Sequence, residues 1–328
     1  QGMMVYLTTA SGGKQPGFYY WDNVTTSWIG FGANTSNAWE IGGNSNITNA
    51  NFIGTTNAVD VRFRRNNVAS GYIGNSNTAM GSGAMRSMTT GIYNASFGTY
   101  SLSDNDIGTD NIGMGYFTLS TNKSASKNIA FGSRALNGQS FTNGGTEFDS
   151  NNIAIGYESL LVNNPTVTSN VKNNISLGNL SMRANTIGTS NIAIGVNAMR
   201  SNSASGKNVA IGESALYTQS FANGGTSFDG HNVAIGYEAL YANQISEISF
   251  FPGTFSGTGN TAIGSMALRN HNIAGLGYSS FNTAIGFEAL KNNINGASNT
   301  AIGAGAMSSS IGGGGNVAVG THTLYYNE

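Results

Sequence analysis

One short phrase recurs through most of this chain: "NIAIGYESLL" at 152–161, "NVAIGYEALY" at 232–241 and "NTAIGFEALK" at 282–291. Thirteen copies begin at Asn77, Asn94, Asn111, Asn128, Asn152, Asn174, Asn191, Asn208, Asn232, Asn260, Asn282, Asn299 and Asn316. Seven of the twelve intervals equal the step from Asn77 to Asn94 and the others are longer, the longest running from Asn232 to Asn260, so extra residues enter between phrases and never inside them. A unit this short cannot bury its own apolar face, so neighbouring units must stack and the added residues must lie in loops. A longer period overlies the short one. "QSFTNGGTEFDSNNIAIGYESL" from Gln139 returns as "QSFANGGTSFDGHNVAIGYEAL" from Gln219, the mark of a duplicated block.

Within every phrase the second residue after Asn is Ala, Ser or Gly, the third is Ile, Leu, Met, Phe or Val, and Gly follows. Alternation over these few residues is the period of a strand. The bulky position is expected to fill an apolar interior, while the small position admits the close approach of another backbone. Glycine ends the strand where the chain turns with a strained or left-handed backbone. A Leu or Met four residues later, as at Leu160, Met199 and Leu240, closes the coil. Helical solenoid repeats need about 30 residues or more, so a unit as short as this one reads as two short strands and two turns. The recurring Asn is placed at a turn, where it tolerates positive φ and its amide can ladder with the Asn of the next coil. A coil so narrow has no use for a second packed face, which points to homotrimerisation through the small face.

Composition excludes several function classes. Of 328 residues 9% are charged, with 14 basic against 15 acidic and a net charge of -1, so nothing draws the chain to nucleic acid or an anionic membrane. The absence of cysteine removes disulfides, zinc–thiolate sites and thiol nucleophiles. No apolar run approaches a membrane span and no signal peptide is legible at Gln1. Glycine, at 47 residues against 3 prolines, serves as punctuation.

The pattern N-[TIV]-A-I-G-x-x-A-[LM] resembles the head repeats of trimeric autotransporter adhesins, and more closely the N-T-A-I-G-x-x-A-L arrays of bacterial and phage-type fibres, many of which end in an endosialidase-type chaperone. It covers about three quarters of the chain, with a longer unit and more variable loops than the adhesin repeat. The resemblance implies an all-β fold: a left-handed parallel β-roll or β-helix solenoid in a homotrimeric fibre, preceded by a small irregular β module. The function it implies is an extracellular structural and adhesive fibre on a cell or particle surface, without catalysis or cofactor, binding itself and a glycan or protein receptor. The first alternative, with the same physics, is a tail fibre or receptor-binding spike of a phage or phage-like contractile particle; the second is a polysaccharide-cleaving tailspike, which would need a carboxylate cluster or His site in a groove.

Residues 1–34 alternate β-formers around turn residues and read as a small β module with Trp21 and Trp28 as packing anchors. Residues 35–76 read as an irregular β shaft, in which Val61 and Phe63 share one strand face and Arg62 and Arg64 the other. Residues 77–328 form the roll. Gln1 opens mid-motif and no polar cap follows Leu324, the expectation for a segment of a longer fibre.

Candidate sites are few. His231, His271 and His322 occupy unrelated repeat positions, and no nucleophile elbow, phosphate loop or zincin motif is present. Glu158, Glu238 and Glu288 share one repeat position, a solvated carboxylate row or, as the alternative, a glycosidase pair. Asp104, Asp106 and Asp110 crowd one turn and form a weak calcium candidate, since the later copy, "RANTIGTS" at 183–190, has lost all three carboxylates. Phe250, Phe251 and Phe255 in the longest insertion, with Phe141 and Phe221 in the duplicated loops, are the candidate contacts with a receptor.

Overall fold

The computed structural model describes residues 3–12, 14, 16–24, 26–30, 48, 52–165, 167–169, 171–219, 226–243, 246–247, 255–271 and 279–326, without side-chain placement at 246–247 and 255–256. Two compact units divide the chain, Gln1–Ala58 and Val59–Glu328. In the first, strands β1 (Met4–Leu7), β2 (Gly17–Asp22) and β3 (Ser27–Gly30) form an antiparallel sheet in that order. Trp21 and Trp28 face each other across β2 and β3 with ring centroids 5.5 Å apart at 70°, the edge-to-face geometry that aromatic pairs favour.

The second unit opens with a hairpin, β4 (Val61–Arg65) and β5 (Val68–Ile73), and β5 pairs antiparallel with β6 (Thr78–Met80), the strand of the first phrase. A bulge between Phe63 and Arg64 shifts the register, so the alternation expected of Val61, Arg62, Phe63 and Arg64 does not run through the strand. From β6 onward every phrase contributes one short strand, ending at Val317–Val319, and each pairs in parallel with the next phrase. Register is kept across insertions: Ala130 lies opposite Ala154 and Ala234 opposite Ala262, although the intervening chain is longer than the basic step in both cases. The fold is an all-β parallel solenoid with one coil per phrase. At an inter-strand spacing of ~4.8 Å, thirteen coils make a stack roughly 60 Å long.

The second wall of each coil is built differently from the expected second strand. After the glycine, the sixth and eighth positions beyond the Asn take positive φ, as at Glu158 (52°) and Leu160 (51°) or Asn197 (58°) and Met199 (51°). Alternate residues of this run of turns still bond to the coils on either side: Glu158 N–H donates to Ser133 C=O at 3.0 Å and Leu160 N–H to Ser181 C=O at 3.1 Å. Among the described residues, very short parallel strands form a further wall in the duplicated block, Ala125–Ser126 with Phe148–Asp149 and Ser205–Gly206 with Phe228–Asp229.

The side-chain directions reverse the expectation for the strand. Ala154, Ala193, Ala234 and Ala284 are fully buried inside the coil with Leu160, Met199, Leu240 and Leu290, while Ile155, Ile194, Ile211 and Ile285 point outward and stay 36–40% exposed. The reason is volume. In so short a coil the walls lie so close that one Leu or Met per layer fills the space, and only a methyl group fits opposite it.

Candidate interaction surface

The recurring Asn organises the interior. Each Asn backbone N–H donates to the Oδ1 of the Asn one coil earlier, at 2.8 Å from Asn94 to Asn77 and 2.8–3.1 Å in all twelve steps to Asn316. Its Nδ2 donates within the next turn, as from Asn191 to Ser205 C=O at 2.9 Å. The ladder forms as expected, but positive φ belongs to the residue before the Asn, for example Asp110, Lys127 and Ser190.

A second column of amides, at a constant offset after each Asn, escaped the sequence reading. Among the described residues nine of twelve such positions are Asn or Gln, from Asn105 and Asn122 through Gln139 to Asn293, and they lie fully or almost fully buried. The signal was a polar residue at constant spacing outside the quoted phrase. His271 stands in this column, completely buried, with Nε2 2.7 Å from Ser279 C=O and Nδ1 3.1 Å from Asn293 C=O.

Burial pushes the His271 imidazole below its ordinary value of 6.5, partly offset by hydrogen bonds to Ser279 and Asn293. The unfolded chain therefore takes up a proton near pH ~6.5 that the folded chain resists, so this residue's contribution to stability falls as pH drops below that value, by up to about 1.4 kcal/mol per pH unit. His271→Asn restores the usual ladder residue. In paired melts from neutral pH downward, the wild type should lose stability faster than the variant; parallel curves would refute the assignment.

Outside the roll, one face is apolar from end to end. In ten of the thirteen coils the third strand residue is exposed by 36–65%, namely Met80, Phe97, Met114, Ile155, Ile194, Ile211, Ile263, Ile285, Ile302 and Val319, and the half-buried Phe131, Leu177 and Ile235 fill the other three. Beside this ridge lie Tyr116, Tyr157, Val196, Tyr237 and Phe287, 44–54% exposed, at five of the thirteen positions that follow the phrase glycine. Together these columns exceed the few hundred Å² of contiguous apolar surface that monomeric proteins usually leave uncovered.

The three glutamates are ion-paired, and only Glu158 is fully withdrawn from solvent while Glu238 and Glu288 are half-buried. Glu158 is 5% exposed and held by Arg134 at 3.2 Å and Arg183 at 2.7 Å. The Arg183 guanidinium, helped by Tyr157 and Arg134 and opposed by burial, keeps its carboxyl below the usual carboxylate range. Arg269 does the same for Glu238 at 2.5 Å, and Lys291 pairs with Glu288 at 2.7 Å. Glu158 and Glu238 stand four coils apart, ~19 Å at the strand spacing, beyond the ~5–9 Å of a glycosidase pair.

Asp104 pairs with Arg86 at 3.1 Å and Asp106 accepts the Thr89 hydroxyl, and no group of three His, Cys, Asp or Glu among the described residues converges on a metal position. Phe141 packs edge-on against Phe148 at 5.6 Å, and Phe148 is itself buried. The duplicated insertions thus fold partly back onto the roll, with Gln139, Phe148 and Ser150 buried rather than projecting. Where both are described, the two loops match: Lys127–Asp149 and Lys207–Asp229 each close at 2.7 Å. Phe221, Phe250 and Phe251 lie outside the described residues, and Phe255 belongs to the short strand Phe255–Ser256, without side-chain placement.

No family model, curated protein or solved structure matches this chain. Among the described residues no helix is long and apolar enough to cross a membrane.

Proposed function

We propose that the chain is the shaft of a homotrimeric extracellular fibre, a left-handed roll that holds a receptor-binding surface away from its anchor and does no chemistry. The observation that carries this reading is the continuous Met80-to-Val319 ridge. Its exposed side chains add up to on the order of 800 Å², about what one partner contributes to a stable protein interface. An in-register stack presents this ridge once per coil, so an identical chain laid alongside meets it coil for coil. The trimer contact therefore belongs to the large residues of the strand, in place of the small residues the sequence suggested. The ion-paired Glu158, Glu238 and Glu288 favour a structural role over glycan hydrolysis.

Light scattering of the full chain at micromolar concentration should give the mass of three chains. Ile194→Asp with Ile211→Asp places two charges on the ridge without touching the buried alanines, and should convert the trimer to a folded monomer with an unchanged circular dichroism spectrum. A wild-type monomer, or a variant that stays trimeric, would overturn the reading.

A further inference from the structure

Amide-to-amide bonding along the second column stops at a glutamine in each of the two duplicated blocks. Before each glutamine one amide donates to the one a coil earlier: Asn122 Nδ2 to Asn105 Oδ1 at 2.6 Å, and Asn202 Nδ2 to Asn185 Oδ1 at 2.9 Å. The next members are Gln139 and Gln219, whose extra methylene carries the amide elsewhere. Gln139 Nε2 donates to Ser150 Oγ at 2.7 Å, and Gln219 Nε2 to Ser205 Oγ at 3.0 Å. Asn122 Oδ1, Gln139 Oε1 and both amide atoms of Asn163 are left buried without a partner among the described residues. In the second block Asn202 Oδ1, Gln219 Oε1 and Asn243 Oδ1 are left in the same way.

The two blocks keep the same hydroxyl in space while changing which residue supplies it. When the blocks are aligned on Gln139 and Gln219, Ser150 corresponds to Gly230 and Ala125 to Ser205. A Cβ added at Gly230 would lie 2.3 Å from Ser205 Oγ, so the second serine fills the space the first one occupies in its own block. In each block the hydroxyl also bonds the main ladder, Ser150 Oγ donating to Asn128 Oδ1 at 2.7 Å and Asn208 Nδ2 donating to Ser205 Oγ at 2.9 Å. A glutamine amide, a hydroxyl and unpaired amide oxygens from three successive coils therefore recur together after the intervening sequence has diverged.

From this we infer that each block holds an internal site for ordered water, seated between the Asn122, Gln139 and Asn163 amides and again between those of Asn202, Gln219 and Asn243. Buried polar atoms in native folds are almost always paired with protein or ordered water. Six of the seven unpaired atoms are acceptor oxygens, so the guest must donate hydrogen bonds. Water does so with two O–H groups and needs two to four polar partners, which each site offers. No carboxylate lies in either set of amides to balance a buried cation. The glutamine ties the inserted loop to the roll, and water completes the column that it interrupts.

Magnetic relaxation dispersion of water oxygen-17 on the full chain tests this directly, because it counts waters exchanging more slowly than the protein tumbles. A dispersion step should be present in the wild type and should shrink in the double variant Gln139→Asn, Gln219→Asn, where the shorter amide reaches back to the preceding Asn. It should be unchanged when sodium is replaced by potassium or choline at constant ionic strength. Absence of the step in the wild type would overturn the proposal even if the variant fails to fold. An undiminished step in a folded variant, or an amplitude that depends on the cation, would overturn it as well.

Discussion

Gly195→Ala should be among the most damaging single substitutions in this chain. Gly195 has φ 134°, and a Cβ there would lie 2.4 Å from Gly212 C=O and 2.6 Å from its carbon, both backbone atoms of the next coil. Neither coil can yield alone, because Gly178 and Gly212 stand in the same relation to their own successors. Backbone strain and a backbone clash together should cost roughly 3–5 kcal/mol, read as a lowered denaturation midpoint. Gly144→Ala is the control. It also has positive φ, at 61°, but nothing lies within 4 Å of the added Cβ, so it should cost only about 1–2 kcal/mol. Equal losses in the two variants would show that the glycine column is set by φ alone and not by coil-to-coil approach. Hydrogen exchange should place the damage in the coils around Gly195, since a solenoid transmits stability through nearest neighbours.

Asn191→Ala should lose stability by another route. Asn191 is fully buried; its Oδ1 accepts from both the backbone N–H and the Nδ2 of Asn208, each at 3.0 Å, and its Nδ2 serves Ser205 C=O at 2.9 Å. Truncation removes the acceptor of the Asn208 backbone N–H, whereas Asn208 Nδ2 keeps Ser205 Oγ and Gly206 C=O and Ser205 C=O keeps Asn202 Nδ2, so the one stranded buried group should cost about 1–3 kcal/mol. Asn295→Ala removes an exposed asparagine outside both ladders and should change stability by less than ~0.5 kcal/mol. Urea midpoints for the pair distinguish a ladder residue from a turn residue; similar values would mean that water replaces the lost amide.

Much of this fold was legible in the sequence because it repeats. Asn, a small residue, Gly and Leu or Met recur at fixed offsets, and each answers a one-dimensional requirement: an amide that bonds its own copy one coil away, a methyl that fits a narrow interior, a backbone position with no room for Cβ, and one large side chain per layer. Those requirements depend only on a coil and its neighbour, so spacing reveals them. The order of thirteen coils, the all-β class and the tolerance of added residues between phrases followed from the same periodicity.

What spacing could not decide was which way a strand faces. Alternation places Ala154 and Ile155 on opposite sides, but the side that becomes interior depends on the distance between two walls closed by the rest of the coil. That distance admits only the alanine. Tertiary structure likewise turned Glu158 from a solvated residue into a buried ion-pair acceptor, because Arg134 and Arg183 reach it from the coils before and after. The second amide column lay open in the sequence, yet its breaks at Gln139 and Gln219 emerged only when Ser150 and Ser205, from non-equivalent positions of the two blocks, were found to offer one hydroxyl at the same point in space. Local rules tell a repeat to stack; the separation of its walls, which no single repeat contains, decides what is buried and what is left on the surface.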